Sequence, residues 1–433
     1  MEKVEPKTLS GFIELMPQEQ VLFNQIERTI ETVYQSYGFY PLDTPIIEDA
    51  KVLLAKAGGE TEKQIYRFEK GDNDLALRFD LTVPLAKYVA KRYNELIFPF
   101  KRYQIGKVFR GERPQKGRFR EFYQCDIDVI GLDSLSLSYD AEMPKIIYDI
   151  FKKLDFGKFT ISLNNRKILS GFFNQLALSN NITDILRIID KLDKIGLNEV
   201  KKELKELNIS DDKINSICDF ININGSLEDI FKSLNNLNID NELFNEGINE
   251  LKYVTDILNA YDMQDYFKID LTIARGLDYY TGTVYETRLD EYPSLGSVCS
   301  GGRYDNLAEY YTDQKLPGVG ISIGLSRLFY KLEEAGLIKV TKEKMADIII
   351  LPMTDNIKYI NKYATHLRNN NLKVDTIYTE KFKQAIKYAS RQGVKYALII
   401  GEDEINKDCA ILKDMESGTQ VEVTLNNIID NIY

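Results

Sequence analysis

The chain has 433 residues, of which 44% are hydrophobic and 28% are charged, and its formal net charge at pH 7 is −10. This length exceeds one ordinary hydrophobic core and predicts two or three globular domains. The acidic net charge disfavours a protein that coats nucleic acid through bulk charge, but it does not exclude a local basic groove. No apolar run has the length of a membrane span and the N-terminus lacks a targeting pattern, so we expect a cytoplasmic protein without a membrane partner.

Cysteine and histidine are scarce in this chain. The four cysteines lie far apart without a Cys-x-x-Cys pair, and His366 is the one histidine. A disulfide framework, a zinc site and a Ser/His/Asp triad are therefore disfavoured, and we expect no metal bound by protein side chains. Any chemistry must use arginines, carboxylates, tyrosines and metal-bound phosphate.

Hydrophobic periodicity predicts the elements of the first three quarters of the chain. Residues 18–36 carry a helical apolar face, and an extended, proline-marked segment follows over 40–48. Short amphipathic helices separated by Asn, Asp and Gly fill 166–260. After them, the strict apolar alternation over 267–273 predicts a half-buried strand.

From residue 346 onward, strands and helices alternate. The predicted strands cover 348–351, 374–378 and 396–400, with helices over 357–368 and 380–391 between them. This order predicts a small sheet with parallel neighbours. No Gly-x-Gly-x-x-Gly follows the first strand, so a dinucleotide site is disfavoured.

Residues 109–128 combine arginines, glutamates and aromatic rings in a hairpin-like stretch. Alternate residues of two strands can face one ligand, where an arginine fork suits phosphate and Phe122 offers a stacking face. A surface salt-bridge ladder is the alternative, but such a ladder does not require the aromatic and glycine placements. The stretch resembles motif 2 of the class II aminoacyl-tRNA synthetases, in the form found in histidyl-tRNA synthetases.

The resemblance implies that this stretch binds ATP and reaches tRNA. It implies that Arg110 binds the α-phosphate, that Glu112 contacts the adenine side and that Phe122 stacks on adenine. The remaining residues that it assigns are the loop arginines Arg113 and Arg118, for the outer phosphates, and Gln115, for the tRNA acceptor end. A turn residue without function is the alternative for Gln115.

Three further segments strengthen the resemblance. Residues 318–327 have spaced glycines before Arg327 and resemble motif 3. This resemblance implies that Arg327 contacts the γ-phosphate and adenine. The family commonly has an acidic residue immediately before this arginine, where this chain has Ser326. Residues 274–286 and 301–305 resemble two peptides characteristic of histidyl-tRNA synthetases. They imply that Arg275 contacts the α-phosphate and the substrate carboxylate, so that Arg275 and Arg110 are the catalytic cations.

Selection of an imidazole needs a polar wall with carboxylates at fixed separation. The resemblance implies a histidine pocket in which four polar residues hold the α-ammonium and the imidazole and two tyrosines complete the wall. These residues are Asp80, Thr82, Gln124, Asp128, Tyr280 and Tyr304. Many bacterial members have glutamates where Asp80 and Asp128 stand, which is a departure from the pattern.

The fold class implied is α/β (α+β): a class II antiparallel sheet flanked by helices, with a helical insertion and a C-terminal α/β anticodon-binding domain. We expect the catalytic domain over 1–165 and 261–335, the insertion over 166–260 and the anticodon-binding domain over 346–433. Segment 18–48 resembles motif 1, which implies a homodimer interface around Pro45.

We therefore expect ATP-dependent activation of L-histidine, with Mg²⁺ accompanying the ATP, and transfer of the histidyl group to tRNA(His). The main alternative is the synthetase-like, non-catalytic regulatory subunit of ATP phosphoribosyltransferase. That subunit lacks the anticodon-binding domain, whereas this chain has about ninety residues of C-terminal α/β pattern. A third alternative is an RNA-binding or signalling protein that keeps the fold without the reaction.

Overall fold

The computed structural model describes residues 3–55, 60–113, 117–189, 191–273, 279–340, 346–379 and 381–432. The chain divides into two compact units, one formed by Met1–Leu15 with Leu22–Lys339 and the other by Met16–Val21 with Val340–Tyr433. Within the described ranges, no helix is both long and apolar enough to cross a membrane.

Helices and strands alternate irregularly up to residue 334. The helices are α1 (Pro17–Ser36), α2 (Ala50–Leu54), α3 (Glu60–Gln64), α4 (Thr82–Arg92), α5 (Ser138–Leu154), α6 (Arg166–Gln175), α7 (Ile182–Ile189), α8 (Leu192–Glu206), α9 (Asp211–Ile221), α10 (Leu227–Asn236), α11 (Glu242–Ala260) and α12 (Leu325–Glu334). The strands are β1 (Tyr40–Pro41), β2 (Ile47–Asp49), β3 (Arg67–Lys70), β4 (Asn73–Leu77), β5 (Phe100–Phe109), β6 (Glu121–Ile130), β7 (Phe159–Asn165), β8 (Phe267–Ile269), β9 (Thr283–Leu289), β10 (Cys299–Tyr304) and β11 (Gly318–Ile323).

Within the described residues, eight strands form one sheet in the order β1-β5-β6-β11-β10-β9-β7-β8. Its central pairs are antiparallel, while the edge pairs β1–β5 and β7–β8 are parallel. The long hairpin β5–β6 pairs Phe100 with Ile130 at one end and Phe109 with Glu121 at the other. The predicted antiparallel sheet flanked by helices is confirmed.

The alternation along β6 separates the core from a polar face. Cys125, Ile127 and Val129 are buried in the hydrophobic core that α1 and α5 share with the sheet. Since successive side chains of a strand point to opposite faces, Gln124 and Asp128 lie on the other face. The functional residues of this strand are thus carried by its non-core side.

Residues 166–260 form the helices α6 to α11, as the amphipathic pattern predicts. Phe172 of α6 stacks on Phe220 of α9, with ring centroids 4.2 Å apart. Gly171 permits close packing of α6 on α11, because a Cβ there would lie 2.6 Å from the backbone nitrogen of Phe244.

Two predicted extended segments are shorter in the structure. The segment 40–48 forms two separate strands, since β1 pairs with β5 and β2 pairs with β4 of a small three-stranded sheet. The strand predicted over 267–273 ends at Ile269, because the Asp270 carboxylate accepts hydrogen bonds from the backbone N–H and the hydroxyl of Thr272, at 3.1 and 2.5 Å. Local hydrogen bonding of this kind turns the chain in spite of the apolar alternation.

The C-terminal unit contains the strands β12 (Ile348–Met353), β13 (Val374–Thr376), β14 (Tyr396–Gly401), β15 (Ala410–Asp414) and β16 (Gln420–Val423), with the helices α13 (Ile357–Asn369), α14 (Phe382–Gln392) and α15 (Glu402–Asn406). The sheet order is β13-β12-β14-β15-β16. The predicted parallel neighbours are confirmed for β13, β12 and β14. The antiparallel strands β15 and β16 were not predicted.

Candidate active site

A cleft of about 400 Å³ lies on the polar face of the large sheet. Its walls come from β6, β9, β10 and β11 and from the segments before α4, after β5 and before α12. The lining includes Asp80, Thr82, Arg110, Glu112, Arg118, Phe122, Gln124, Asp128, Tyr280, Tyr304 and Arg327. Residues from distant motifs thus share one cleft.

One end of the cleft is built around Asp128. Its Oδ1 accepts a hydrogen bond from the Tyr304 hydroxyl at 2.6 Å, and its Oδ2 lies 2.7 Å from Nη2 of Arg102. Arg102 on β5 is fully buried and also donates to the Leu81 carbonyl at 3.0 Å. Burial raises the pKa of Asp128 to about 6, although Arg102 and Tyr304 oppose this shift.

A second carboxylate, Asp126, stands two residues away on the same face of β6. It is 2% exposed and forms a side-chain hydrogen bond with Ser322 of β11. Burial raises the pKa of Asp126 to about 7, with a further contribution from the nearby charge of Asp128, while Arg102 opposes the shift. One buried guanidinium thus faces two buried carboxyl groups.

Asp80 and Thr82 enter the cleft at the start of α4. The Asp80 Oδ1 accepts the backbone N–H of Val83 at 2.9 Å, which satisfies a donor in the first turn of the helix. Burial raises the pKa of Asp80, whereas the Val83 N–H and the charge of Arg110 act to lower it.

Arg110 lies between the acidic end and the rest of the cleft. Its Nη2 is 3.5 Å from Oε1 of Gln124, and its guanidinium carbon lies 4.4 Å from the ring centroid of Phe79 and 5.1 Å from that of Phe122. Burial lowers the pKa of Arg110, and the charge of Asp80 opposes that change. A guanidinium held between rings keeps a fixed position for an anion.

The loop between β5 and β6 supplies a second basic group. Arg118 is exposed and lines the cleft, with Nη1 at 3.5 Å from Oε2 of Glu112. Arg113 is exposed and does not line the cleft. Its assignment to the outer phosphates stays a prediction.

Arg327 lies in the first turn of α12 and lines the cleft. Its Nη2 donates to the Leu295 carbonyl at 3.1 Å. Ser326, the departure from the motif, accepts the backbone N–H of Tyr123 at 2.9 Å through its Oγ. A short hydroxyl here thus ties α12 to β6.

The glycines of residues 318–324 make room for the pocket itself. A Cβ on Gly318 would lie 2.4 Å from the Tyr304 ring, and one on Gly320 would lie 2.2 Å from Oδ1 of Asp128. The sequence suggested that these glycines allow close approach to a nucleotide. The structure adds a second reason, because only glycine leaves space for these two side chains.

An ion pair anchors the segment 301–305, which carries Tyr304 into the pocket. Arg303 binds the fully buried Asp140 through Nε at 3.1 Å and Nη2 at 2.5 Å. The next residue, Tyr304, thereby acquires a fixed strand position, and its ring lies edge-on to that of Tyr279 with centroids 5.7 Å apart.

Two predicted residues, Arg275 and Gln115, lie outside the described residues. Their roles stay predictions.

Several lining residues received no individual role from the sequence, namely Asp126, Glu286, Ser322 and Tyr279. Asp126 is one of the alternate strand residues that were expected to face one ligand, and it stands between Gln124 and Asp128 on one face. Ser322 is opposite Asp126 in the β6–β11 register, a pairing that a sequence does not specify.

Comparison with known proteins gives a family for this arrangement. Residues 11–328 match the family model described as histidyl-tRNA synthetase, and residues 347–433 match the one described as anticodon binding domain. The chain belongs to the histidyl-tRNA synthetase family. Members of this family are aminoacyl-tRNA synthetases.

Relatives match the whole chain. The histidine–tRNA ligase of Clostridium tetani is 54% identical over 98% of this chain and 98% of its own length, and that of Finegoldia magna is 49% identical over 99% and 100%. The crystal structure of histidyl-tRNA synthetase from Nostoc sp. PCC 7120 is 43% identical and covers 99% of both chains, with a TM-score of 0.85.

Proposed function

We propose that this histidyl-tRNA synthetase family member is a histidine–tRNA ligase that activates L-histidine with ATP and transfers the histidyl group to tRNA(His). The observation that carries the proposal is the composition of one cleft, which is lined by buried carboxylates and tyrosines and also by Arg110, Arg118 and Arg327. The carboxylates suit the α-ammonium and the imidazole of histidine, and the arginines suit a triphosphate.

In the first reaction, an oxygen of the histidine carboxylate attacks the α-phosphorus of ATP, and the bond to the leaving pyrophosphate breaks. Two anions must approach each other, so fixed cations lower the barrier. Arg110 is suited to the α-phosphate, because Phe79 and Phe122 hold its guanidinium beside the substrate end. Arg118 and Arg327 are suited to the outer phosphates and the nucleotide.

The substrate end is suited to histidine. Asp80, Thr82 and Gln124 would receive the α-ammonium, while Asp128 and Tyr304 would receive the imidazole. Magnesium would arrive with the phosphates of ATP, where it neutralises negative charge. Among the described residues, no three His, Cys, Asp or Glu side chains converge on a metal site.

In the second reaction, a hydroxyl of the terminal adenosine of the tRNA attacks the activated carbonyl carbon, and AMP leaves. We propose that the C-terminal α/β domain contacts the anticodon, that Gln115 reaches the acceptor end and that the reaction takes place in the cytoplasm. The family relation and the full-length match of the relatives support this assignment over the regulatory-subunit alternative.

We also propose a homodimer formed around the segment that resembles motif 1. Pro45 is exposed there, and neighbouring apolar side chains reach solvent in the single chain: Tyr40 is 71% exposed and Ile47 is 48% exposed. Sedimentation at micromolar concentration should give twice the chain mass. A monomer would contradict this part of the proposal.

The proposed reaction is tested by ATP–pyrophosphate exchange with purified protein, magnesium and histidine. Arg110→Ala and Arg275→Ala should each abolish most of the exchange. Arg92→Ala is the matched control, since Arg92 on the surface of α4 pairs with Glu95 and does not line the cleft. Full activity in both the Arg110→Ala and the Arg275→Ala variant would contradict the roles proposed for these arginines.

A further inference from the structure

Asp126 carries a polar atom with no role in the arrangement described so far. Its Oδ1 is buried and has no hydrogen-bond partner among the described residues, while the side chain lines the substrate cleft. A buried carboxylate oxygen without a partner is costly, because water has been removed and nothing replaces it. In an enzyme cleft, a bound ligand can supply the missing hydrogen-bond donor.

The strand places this atom beside the proposed imidazole site. Asp126 and Asp128 are i and i+2 on β6, so their side chains leave the same face of the sheet about 7 Å apart at the backbone. The neighbouring strands confine Asp126 further, since Gln104 of β5 and Ser322 of β11 stand opposite it in register. Two carboxyl groups therefore form one wall of the pocket.

The charge balance of this wall is uneven. Among the described residues, four buried carboxyl groups line the cleft, those of Asp80, Asp126, Asp128 and Glu286. The buried Arg102, which lies behind the cleft, and the half-buried Arg110 are the arginines beside Asp126. Asp128 already forms an ion pair with Arg102 and accepts a hydrogen bond from the Tyr304 hydroxyl. Two adjacent carboxylates that share one buried cation do not both ionise readily without a further positive group.

We propose that Asp126 is a specificity-determining residue of the histidine pocket, and that it and Asp128 together take both ring nitrogens of the substrate with one shared proton. The inference rests on the proposed function. Either an imidazolium donates to two carboxylates, or a neutral ring donates to one carboxylate and accepts from the other carboxyl group in its protonated form. Both arrangements contain the same single proton, which comes from solvent.

Other groups that face Asp126 do not supply this proton near neutral pH. Burial raises the pKa of the Tyr34, Tyr280, Cys125 and Cys299 side chains, which therefore stay neutral. The titratable and charged groups around Asp126 are Arg102 from β5, Tyr34 from α1, Cys299 from β10, Glu286 from β9, Tyr280, Asp80 and Arg110 from the flanking segments, and Cys125 and Asp128 from its own strand.

The experiment is calorimetric titration of the full-length protein with histidine at pH 8, in buffers that differ in ionisation enthalpy. At this pH, the free imidazole is mostly neutral and Asp126, with a pKa of about 7, is mostly ionised, so binding should take up close to one proton. Above about pH 7, histidine affinity should fall by about tenfold per pH unit.

Asp126→Asn is the decisive variant, because its amide matches the shape of the carboxyl group and can donate to the bare ring nitrogen without a proton from solvent. Proton uptake should vanish, and affinity should become nearly independent of pH between 7.5 and 8.5. Asp126→Glu keeps a carboxylate and should restore the uptake. The α-ammonium of histidine is common to all three proteins, so its contribution cancels in the comparison.

The outcomes separate this inference from the proposed function. Histidine binding to the unmodified protein without proton uptake would overturn the inference and leave the function intact. Equal uptake by Asp126→Asn would also overturn it, because the proton would then reside elsewhere. A chain that binds no histidine would remove the proposed function and this inference with it.

Discussion

Replacing Asp128 by asparagine should damage histidine use and spare ATP use. The amide can no longer hold a negative charge against the imidazole, although it keeps the size of the side chain. Hydrogen bonds to charged groups contribute about 1.5–3 kcal/mol, and about 1.4 kcal/mol corresponds to a factor of ten. We therefore expect kcat/KM for histidine to fall by roughly 10- to 150-fold.

The fold should survive this change. Arg102 loses one partner at 2.7 Å, but the carboxyl group of Asp126 remains beside it. The stability loss should then stay below the roughly 3–5 kcal/mol that follows when a buried ion pair is simply broken. Thermal unfolding of the variant and of the unmodified protein measures this difference.

The assay is ATP–pyrophosphate exchange with each substrate varied in turn. The KM for ATP should change by less than about threefold, because Arg110 and Arg327 keep their own contacts, to the Phe122 ring and to the Leu295 carbonyl. Tyr304→Phe removes the other hydrogen bond to Asp128 and should produce a smaller loss in the same direction. Equal losses for histidine and ATP would refute the division of the cleft into two ends.

Gly320→Ala should raise the KM for histidine more than the KM for ATP, because the new Cβ would lie 2.2 Å from Oδ1 of Asp128 and must displace that carboxylate. Unchanged kinetics in the exchange assay would contradict this expectation. Arg303→Met should destabilise the protein by about 3–5 kcal/mol, since the fully buried Asp140 loses its partner. The double variant Arg303→Met/Asp140→Leu should recover much of this stability, and chemical denaturation of both variants measures the difference. The raised pKa of Asp126, about 7 against an ordinary value of about 3.9, gives a stability contribution that is full below pH 4 and is lost as pH rises through 7. Ionisation of Asp126 should accordingly lower the melting temperature of the ligand-free protein between pH 5 and 8, and Asp126→Asn should remove this contribution. Identical pH profiles of the melting temperature for the two proteins would contradict the expectation.

The main features of the cleft could be predicted because motif residues sit at fixed offsets on single elements. Arg110 and Gln124 flank one hairpin, so strand alternation alone brings them to the same face. Tyr304 was assigned to the pocket through the resemblance of residues 301–305 to a family peptide, and its side chain lines the cleft.

Features that depend on pairing between distant elements could not be predicted. The partners Arg102 and Asp128 are 26 positions apart and meet through the register of β5 on β6, while Arg303 meets Asp140 across 163 positions. Ser322 faces Asp126 for the same reason. A sequence states which residues can ionise, but the register decides which of them share a buried environment.

The extended segments show a different limit. Apolar alternation predicted a strand through Ile273, and the residues at the alternating positions are indeed buried. However, the hydrogen bonds of Asp270 to Thr272 end the strand at Ile269. Burial follows the hydrophobic pattern, whereas the backbone conformation follows local polar contacts.

The most direct test of the proposed function is ATP–pyrophosphate exchange with the purified protein, performed with each of the twenty amino acids in turn. Magnesium-dependent exchange is expected with histidine alone, because any other side chain leaves the buried carboxylates of the substrate end without partners. Folded protein that binds histidine but supports no exchange with any amino acid would contradict the proposed function, and would favour a regulatory or sensing role for this cleft.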